Sequence, residues 1–190
     1  MDHSQITIVT GLPRSGTSMM MKMLEAGGVP PLADHRRAAD LDNPNGYYEF
    51  EPVKRTKEDP SWLSEAEGRA VKMVYSLLYD LPSDRDYDVV FMRRELPEIL
   101  ASQRKMLDRK GHSSPVSDEK MAALFAAEIA KFASWLEMRK NMRSIEIHYG
   151  DVVRGDADAI DRLNDFLGGQ LDASAMRGVV DPKLYRQRVA

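Results

Sequence analysis

The chain contains no cysteine, which excludes disulfides and thiolate-bound metal. Histidine is scarce: His3, His35, His112 and His148 are scattered, and no two share a metal-ligand spacing. No apolar run approaches the length of a bilayer span, so no membrane partner is expected. Positive charge is not in excess either. Lysine and arginine number 27 against 30 acidic residues, a formal net charge of −3, which gives no general attraction for nucleic acid. An anionic ligand would have to be held by local groups. The first strand-like run begins at Ile6, leaving no room for a signal peptide, and the expected address is cytoplasmic. There is no internal repeat or low-complexity tract, and no signature of an oligomeric state.

What is present is ordinary for a globular protein. With 190 residues, 43% apolar and 30% charged, the sequence predicts one domain over 1–190 with a sizeable core. Residues 6–10, ITIVT, are β-branched throughout and read as a buried parallel strand. A helix is expected over Thr17–Ala26, stopped by Gly27-Gly28. Residues 29–68 are rich in Pro, Asp, Asn and Gly, too weakly periodic for an element, and long enough to be functional. Further strands are expected at Ala70–Tyr75, Asp88–Met92 and Ser144–Tyr149. Helices are expected from Pro97 to Lys110, along the Met121, Phe125, Ile129, Phe132 and Leu136 face, and over residues 157–167. Alternating strands and helices predict an α/β fold with a mostly parallel sheet.

The segment Gly11-Leu12-Pro13-Arg14-Ser15-Gly16-Thr17-Ser18 joins the first strand to the first helix. Glycines there let backbone N–H groups turn inward, and a helix N-terminus favours negative charge, so the loop is a candidate anion site. The nucleotide-hydrolase loop GxxxxGK[ST] has lysine where this chain has Thr17, and Arg14 is the loop's cation. The third strand runs straight into Arg93-Arg94 rather than into an aspartate for Mg²⁺, so no metal is expected and ATP or GTP hydrolysis is disfavoured.

These residues resemble the PAPS-dependent sulfotransferases, in the arginine-loop version of the tyrosylprotein and many bacterial members. The resemblance implies a P-loop-type three-layer fold and the donor 3′-phosphoadenosine-5′-phosphosulfate (PAPS). Gly11, Pro13, Arg14, Ser15, Gly16, Thr17 and Ser18 would then hold the 5′-phosphosulfate. Arg94-Glu95-Leu96-Pro97, with Ser102 eight residues after Arg94, is similar to the family's RDPxxxxxS segment, whose arginine and serine hold the 3′-phosphate. Lys72 stands where members carry a lysine that contacts the transferring sulfonate. Tyr149-Gly150-Asp151 with Phe166-Leu167-Gly168 looks like the YExL…FLG segment, which places Tyr149 near the adenosine. Two features depart from the family. The position of its histidine base is Val74, and its C-terminal RKG clamp is absent, with Lys183, Tyr185, Arg186 and Arg188 as substitutes.

Sulfuryl transfer needs positive groups where charge develops on the leaving phosphate, and Arg14 and Lys72 are the candidates. Of Arg93 and Arg94, one is expected to face the site and the other to make a structural ion pair. The acceptor also needs a base. Glu49 is preferred, on the expectation that the Asn43-Pro44-Asn45-Gly46 turn returns it inward with Tyr47 and Tyr48 as a shield. Glu51, Asp34 and His35 are rivals, and Arg36-Arg37 hint at an anionic acceptor. The reading is therefore a sulfotransferase for a small hydroxyl or amine acceptor, with 29–68 on the acceptor side. The alternatives are a P-loop nucleotide or small-molecule kinase, and a non-catalytic nucleotide-binding member of the same fold.

Overall fold

The computed structural model describes residues 5–34, 36–40, 43, 46–112 and 116–185. His3, His35, Asp42, Pro44, Asn45, Arg186 and Arg188 lie outside the described residues, so the candidate roles of His35, Arg186 and Arg188 do too. The sheet has four parallel strands: β1 (Ile6–Gly11), β2 (Ala70–Lys72), β3 (Tyr87–Arg93) and β4 (Met142–His148), in the order β2-β1-β3-β4. Because β1 and β3 are central, their side chains are buried on both faces, as their continuous apolar runs require.

Alternation along these strands divides the core in two. Ile6, Ile8, Val89 and Phe91 point to one face, where they meet Trp62, Leu63, Phe132 and Leu136. Val9, Val90, Met92 and Ile147 point to the other, under the methionine-rich helix α1 (Thr17–Ala26). Helices α4 (Tyr149–Arg154), α5 (Ala157–Phe166) and α6 (Ala173–Gly178) complete that second layer. On the first face lies the C-terminal half of α3 (Asp118–Glu137), whose Phe132 packs tilted against Phe91 at 5.4 Å between centroids. The molecule is thus a three-layer α/β structure.

Three elements differ from the expectation. The strand expected at Ala70–Tyr75 ends at Lys72, because β2 is an edge strand with only three residues in register with β1. The chain then turns into a 3-10 segment, Tyr75–Asp80. Tyr149 does not close β4 but opens α4. Residues 29–68 include two short 3-10 turns, Glu51–Arg55 and Ser61–Ser64, which Trp62, Leu63 and Val53 anchor to the core. Among the described residues, no helix is long and apolar enough to cross a membrane.

The topology decides where a ligand can sit. The chain crosses from β1 to β2 on one side and returns beyond β1 to β3, so the connections diverge at the C-terminal ends of β1 and β3. In open parallel sheets that divergence leaves a crevice. It brings the loop after β1 beside the start of α2 (Leu96–Arg109).

Candidate functional site

A cavity of about 500 Å³ opens at this crevice. Its wall is built from the β1–α1 loop, the end of β2, Arg37, Asn43, Tyr47, Glu49, Phe50, Val53 and Lys54, α2 and Tyr149. Gly11, Pro13, Arg14, Gly16, Thr17, Ser18, Lys72, Glu49, Arg94, Ser102 and Tyr149 all line it, so the fold gathers most of the residues singled out in the sequence.

The loop is shaped by close packing. Gly16 has φ 101°, a conformation that side chains resist, and a Cβ there would collide with the Tyr149 ring. Gly16→Ala should therefore lower stability by about 1–3 kcal/mol and displace Tyr149, measurable as a shifted denaturation midpoint. Gly11 is needed because a Cβ would lie 2.5 Å from Ser15 Oγ and 2.7 Å from the Met92 carbonyl. Ser15 itself is fully buried below the loop and does not line the cavity; its amide donates to the Leu12 carbonyl at 3.1 Å. Among the described residues no side chain caps the N-terminus of α1, and Gly16, Thr17, Ser18 and Met19 at its start line the cavity, an arrangement that suits an anion.

Arg14 holds the loop against α2. Its backbone is left-handed at φ 71°, and its Nε donates to Ser102 Oγ at 2.9 Å across 88 residues of sequence. Burial, together with the nearby guanidinium groups of Arg109 and Arg94, holds Arg14 below the ordinary arginine value. Like charges are therefore crowded here, an arrangement that an anion would relieve.

The paired arginines at the end of β3 take opposite faces, as strand alternation demands. Arg93 turns away, with Nε 3.8 Å from Glu146 on β4. Arg94 turns in, where Nη1 donates to the Arg14 carbonyl at 3.1 Å and Nε donates to Glu98 Oε2 at 2.9 Å. Its guanidinium lies 4.4 Å above the Tyr149 ring. The Glu98 carboxylate is 3% exposed and accepts a second bond from the Tyr185 hydroxyl at 2.6 Å. That bond, then burial, raises the Tyr185 phenol above its ordinary value. Glu98→Gln keeps the shape but gives up the charge that supports Arg94. It should cost on the order of 1.5–3 kcal/mol, read by urea unfolding, and should weaken anion binding in the cavity.

Lys72 ends β2 with its ammonium inside the cavity wall. Nζ donates to the Tyr47 carbonyl and lies 3.5 Å from Ser18 Oγ, which also accepts from Asn43 Nδ2 at 2.8 Å. Burial pushes the lysine down to about 8, against the opposing pull of Glu49.

The four carboxyl and imidazole candidates separate clearly. Glu49 lines the cavity and accepts from Arg37 Nη1 at 3.1 Å, while Arg37 lies flat on Tyr47, 3.3 Å from the ring centroid. Asp34 does not line it. Its two oxygens accept the amides of Arg36 at 3.0 Å and Glu51 at 2.8 Å, so it staples the segment together. Glu51 is also outside, with both oxygens on the Lys54 ammonium. His35 lies outside the described residues. The expected shield is half present. Tyr47 is buried in the wall, its hydroxyl 2.7 Å from Asp40. Tyr48, with φ 49°, turns away to donate to Glu25 on α1 at 2.6 Å.

Several lining residues escaped the sequence reading: Lys105, Met106 and Arg109 on α2, and Asp181. The signal was available on α2, where 98, 102, 105 and 109 follow helical spacing and share one face.

No protein-family model matches the chain, and no curated protein matches it. Among solved structures it is similar to a sulfotransferase domain from the curacin biosynthetic pathway, at 17% identity and a TM-score of 0.47, covering 86% of this chain and 73% of that one. It is also similar to retinol dehydratase in complex with androsterone and inactive cofactor PAP, at 16% identity and a TM-score of 0.48. That match covers 98% of this chain and 65% of the other, less than two thirds of its length.

Proposed function

We propose that the chain transfers a sulfuryl group from PAPS to a hydroxyl or amine of a small molecule, with residues 29–68 on the acceptor side. The observation that carries this reading is the convergence of Arg14, Lys72, Arg94 and the uncapped N-terminus of α1 on one cavity. The donor set suits a phosphosulfate: forked guanidinium donors, a point charge and backbone amides. Bound there, the phosphosulfate supplies an activated sulfuryl group.

Arg14 and the first-turn amides of α1 would bind its oxygens. Lys72 would offset the negative charge that grows on the leaving phosphate, the point where fixed positive groups lower a barrier most. Glu49, in the cavity wall and oriented by Arg37, would take the proton that the acceptor gives up. Phe50, Val53, Met73, Val74 and Leu77 line the same cavity and would exclude water from the reacting group.

The reading is tested by incubating the protein with PAPS and a panel of phenols, alcohols and amines. Release of 3′-phosphoadenosine-5′-phosphate should require an acceptor and no added Mg²⁺. Release of ADP from ATP that depends on Mg²⁺ would assign a kinase instead. Tight binding of 3′-phosphoadenosine-5′-phosphate with no turnover on any acceptor would assign a non-catalytic binding protein.

A further inference from the structure

The charge of the cavity exceeds what the loop and β2 bring to it. Among the described residues, seven basic side chains line it against two acidic ones, Glu49 and Asp181, in a chain whose net charge is −3. Two of the seven, Lys105 and Arg109, lie on α2. Lys105 and Arg109 follow Ser102 at three and seven residues, on the face that also carries Glu98, and both are exposed at the cavity mouth. At a rise of about 1.5 Å per residue they stand roughly 4 and 10 Å beyond Ser102 along the helix. Arg104, on the opposite side of α2, is paired with Asp118 of α3, so the two faces of the helix carry charge for different ends.

Arg14 links this stripe to the loop. Its Nε donates to Ser102 Oγ at 2.9 Å, so the guanidinium is held against α2. Arg109 is close enough to act on Arg14 electrostatically, in the same sense as Arg94. Three guanidinium groups and an ammonium thus surround the α2 wall of one cavity. Like charges held this close favour a multiply charged oxyanion between them, bound by charge-assisted hydrogen bonds.

We infer that Lys105 and Arg109 form a second anion site at the mouth of the cavity, which takes a phosphate or sulfate ester group. The inference rests on the proposed function only for the identity of the molecule that carries the group. That molecule is an acidic acceptor, since Arg94 and Ser102, nearer the loop, are already the candidates for the donor's second phosphate. The two are separable, because a donor phosphate fills the site when nucleotide is bound and an acceptor group does not.

The test compares wild type with Lys105→Ala/Arg109→Ala, and with the charge-keeping pair Lys105→Arg/Arg109→Lys as a rescue. Calorimetry measures adenosine 5′-phosphate and 3′-phosphoadenosine-5′-phosphate. NMR shifts follow titration of inorganic phosphate into the free and nucleotide-saturated protein. A loss of about tenfold or more in affinity for the bisphosphate but not for the monophosphate in the alanine pair, with rescue by the swapped pair, would place the donor's second phosphate there and overturn the inference. An acceptor site predicts unchanged nucleotide affinities, together with phosphate binding to the nucleotide-saturated wild type that the alanine pair abolishes. Unchanged nucleotide discrimination and unchanged phosphate binding in the alanine pair would overturn the inference. If the wild type binds no nucleotide, the sulfotransferase reading fails, and phosphate binding by the free protein still decides the anion site.

Discussion

Replacing Lys72 by methionine is expected to lower kcat on the order of 10²–10³-fold, the usual effect of removing one donor from a charge-stabilising site. The same change should raise stability at neutral pH. Burial pushes Lys72 down to about 8, from about 10.5 in an unfolded chain, so at pH 7 folding holds a charge in a place that disfavours it. The shift corresponds to roughly 3 kcal/mol of destabilisation below pH 8, since each unit is worth about 1.4 kcal/mol. Methionine relieves that cost but leaves the Tyr47 carbonyl without its lysine donor, so a net gain of about 1–2 kcal/mol is expected. For a chain of this size that is a rise of a few degrees in Tm.

Between pH 8 and 10.5 the unfolded chain binds the extra proton, so the wild type should gain stability as pH rises through that window. Activity should move the other way. If the ammonium offsets charge on the leaving group, kcat falls as pH rises through about 8. A methionine variant with wild-type kcat and an unaltered Tm would remove Lys72 from both roles.

Glu49→Gln is expected to lower kcat on the order of 10²–10⁴-fold, because it keeps the hydrogen bond from Arg37 and removes the base. Donor affinity should be nearly unchanged, which separates loss of proton transfer from loss of binding. A second effect follows from the charge. Glu49 pulls the lysine upward, so its loss should move the alkaline limb of the rate profile below pH 8. Asp34→Asn is the matched control. Its carboxylate is spent on backbone amides, so kcat should hold while stability falls slightly. A large drop in kcat with Asp34→Asn and none with Glu49→Gln would place the base elsewhere.

The parts of the site that were legible in the sequence are those fixed by local rules. A β-branched run, glycines at the turn and a methionine-rich helix place Arg14 and the α1 amides with little help from the rest of the chain. Strand alternation separated Arg93 from Arg94, since neighbouring residues on a strand face opposite ways. What was not legible depends on distant partners. Asp34 and Glu49 are equally acidic and both lie in a polar segment. Only the fold shows that one carboxylate is consumed by the amides of Arg36 and Glu51 while the other lines the cavity. Ser15 lies beneath the loop rather than in the cavity wall, in the room that Gly11 leaves for its side chain. The left-handed backbone of Tyr48 sends it to Glu25 rather than over Glu49, which no residue type announces. The Lys105–Arg109 stripe was readable from helical spacing, but its meaning needed the cavity.

The central claim, that this crevice is built for a bisphosphorylated adenosine rather than for a nucleoside triphosphate with metal, is tested most directly by calorimetry. Titrations of 3′-phosphoadenosine-5′-phosphate, ADP, and ATP with and without Mg²⁺ suffice. The account predicts that the bisphosphate binds about tenfold or more tightly than ADP or ATP, without Mg²⁺, because each charge-assisted contact to the added phosphate contributes roughly 1.5–3 kcal/mol. ATP binding as tight as the bisphosphate, and dependent on Mg²⁺, would contradict it.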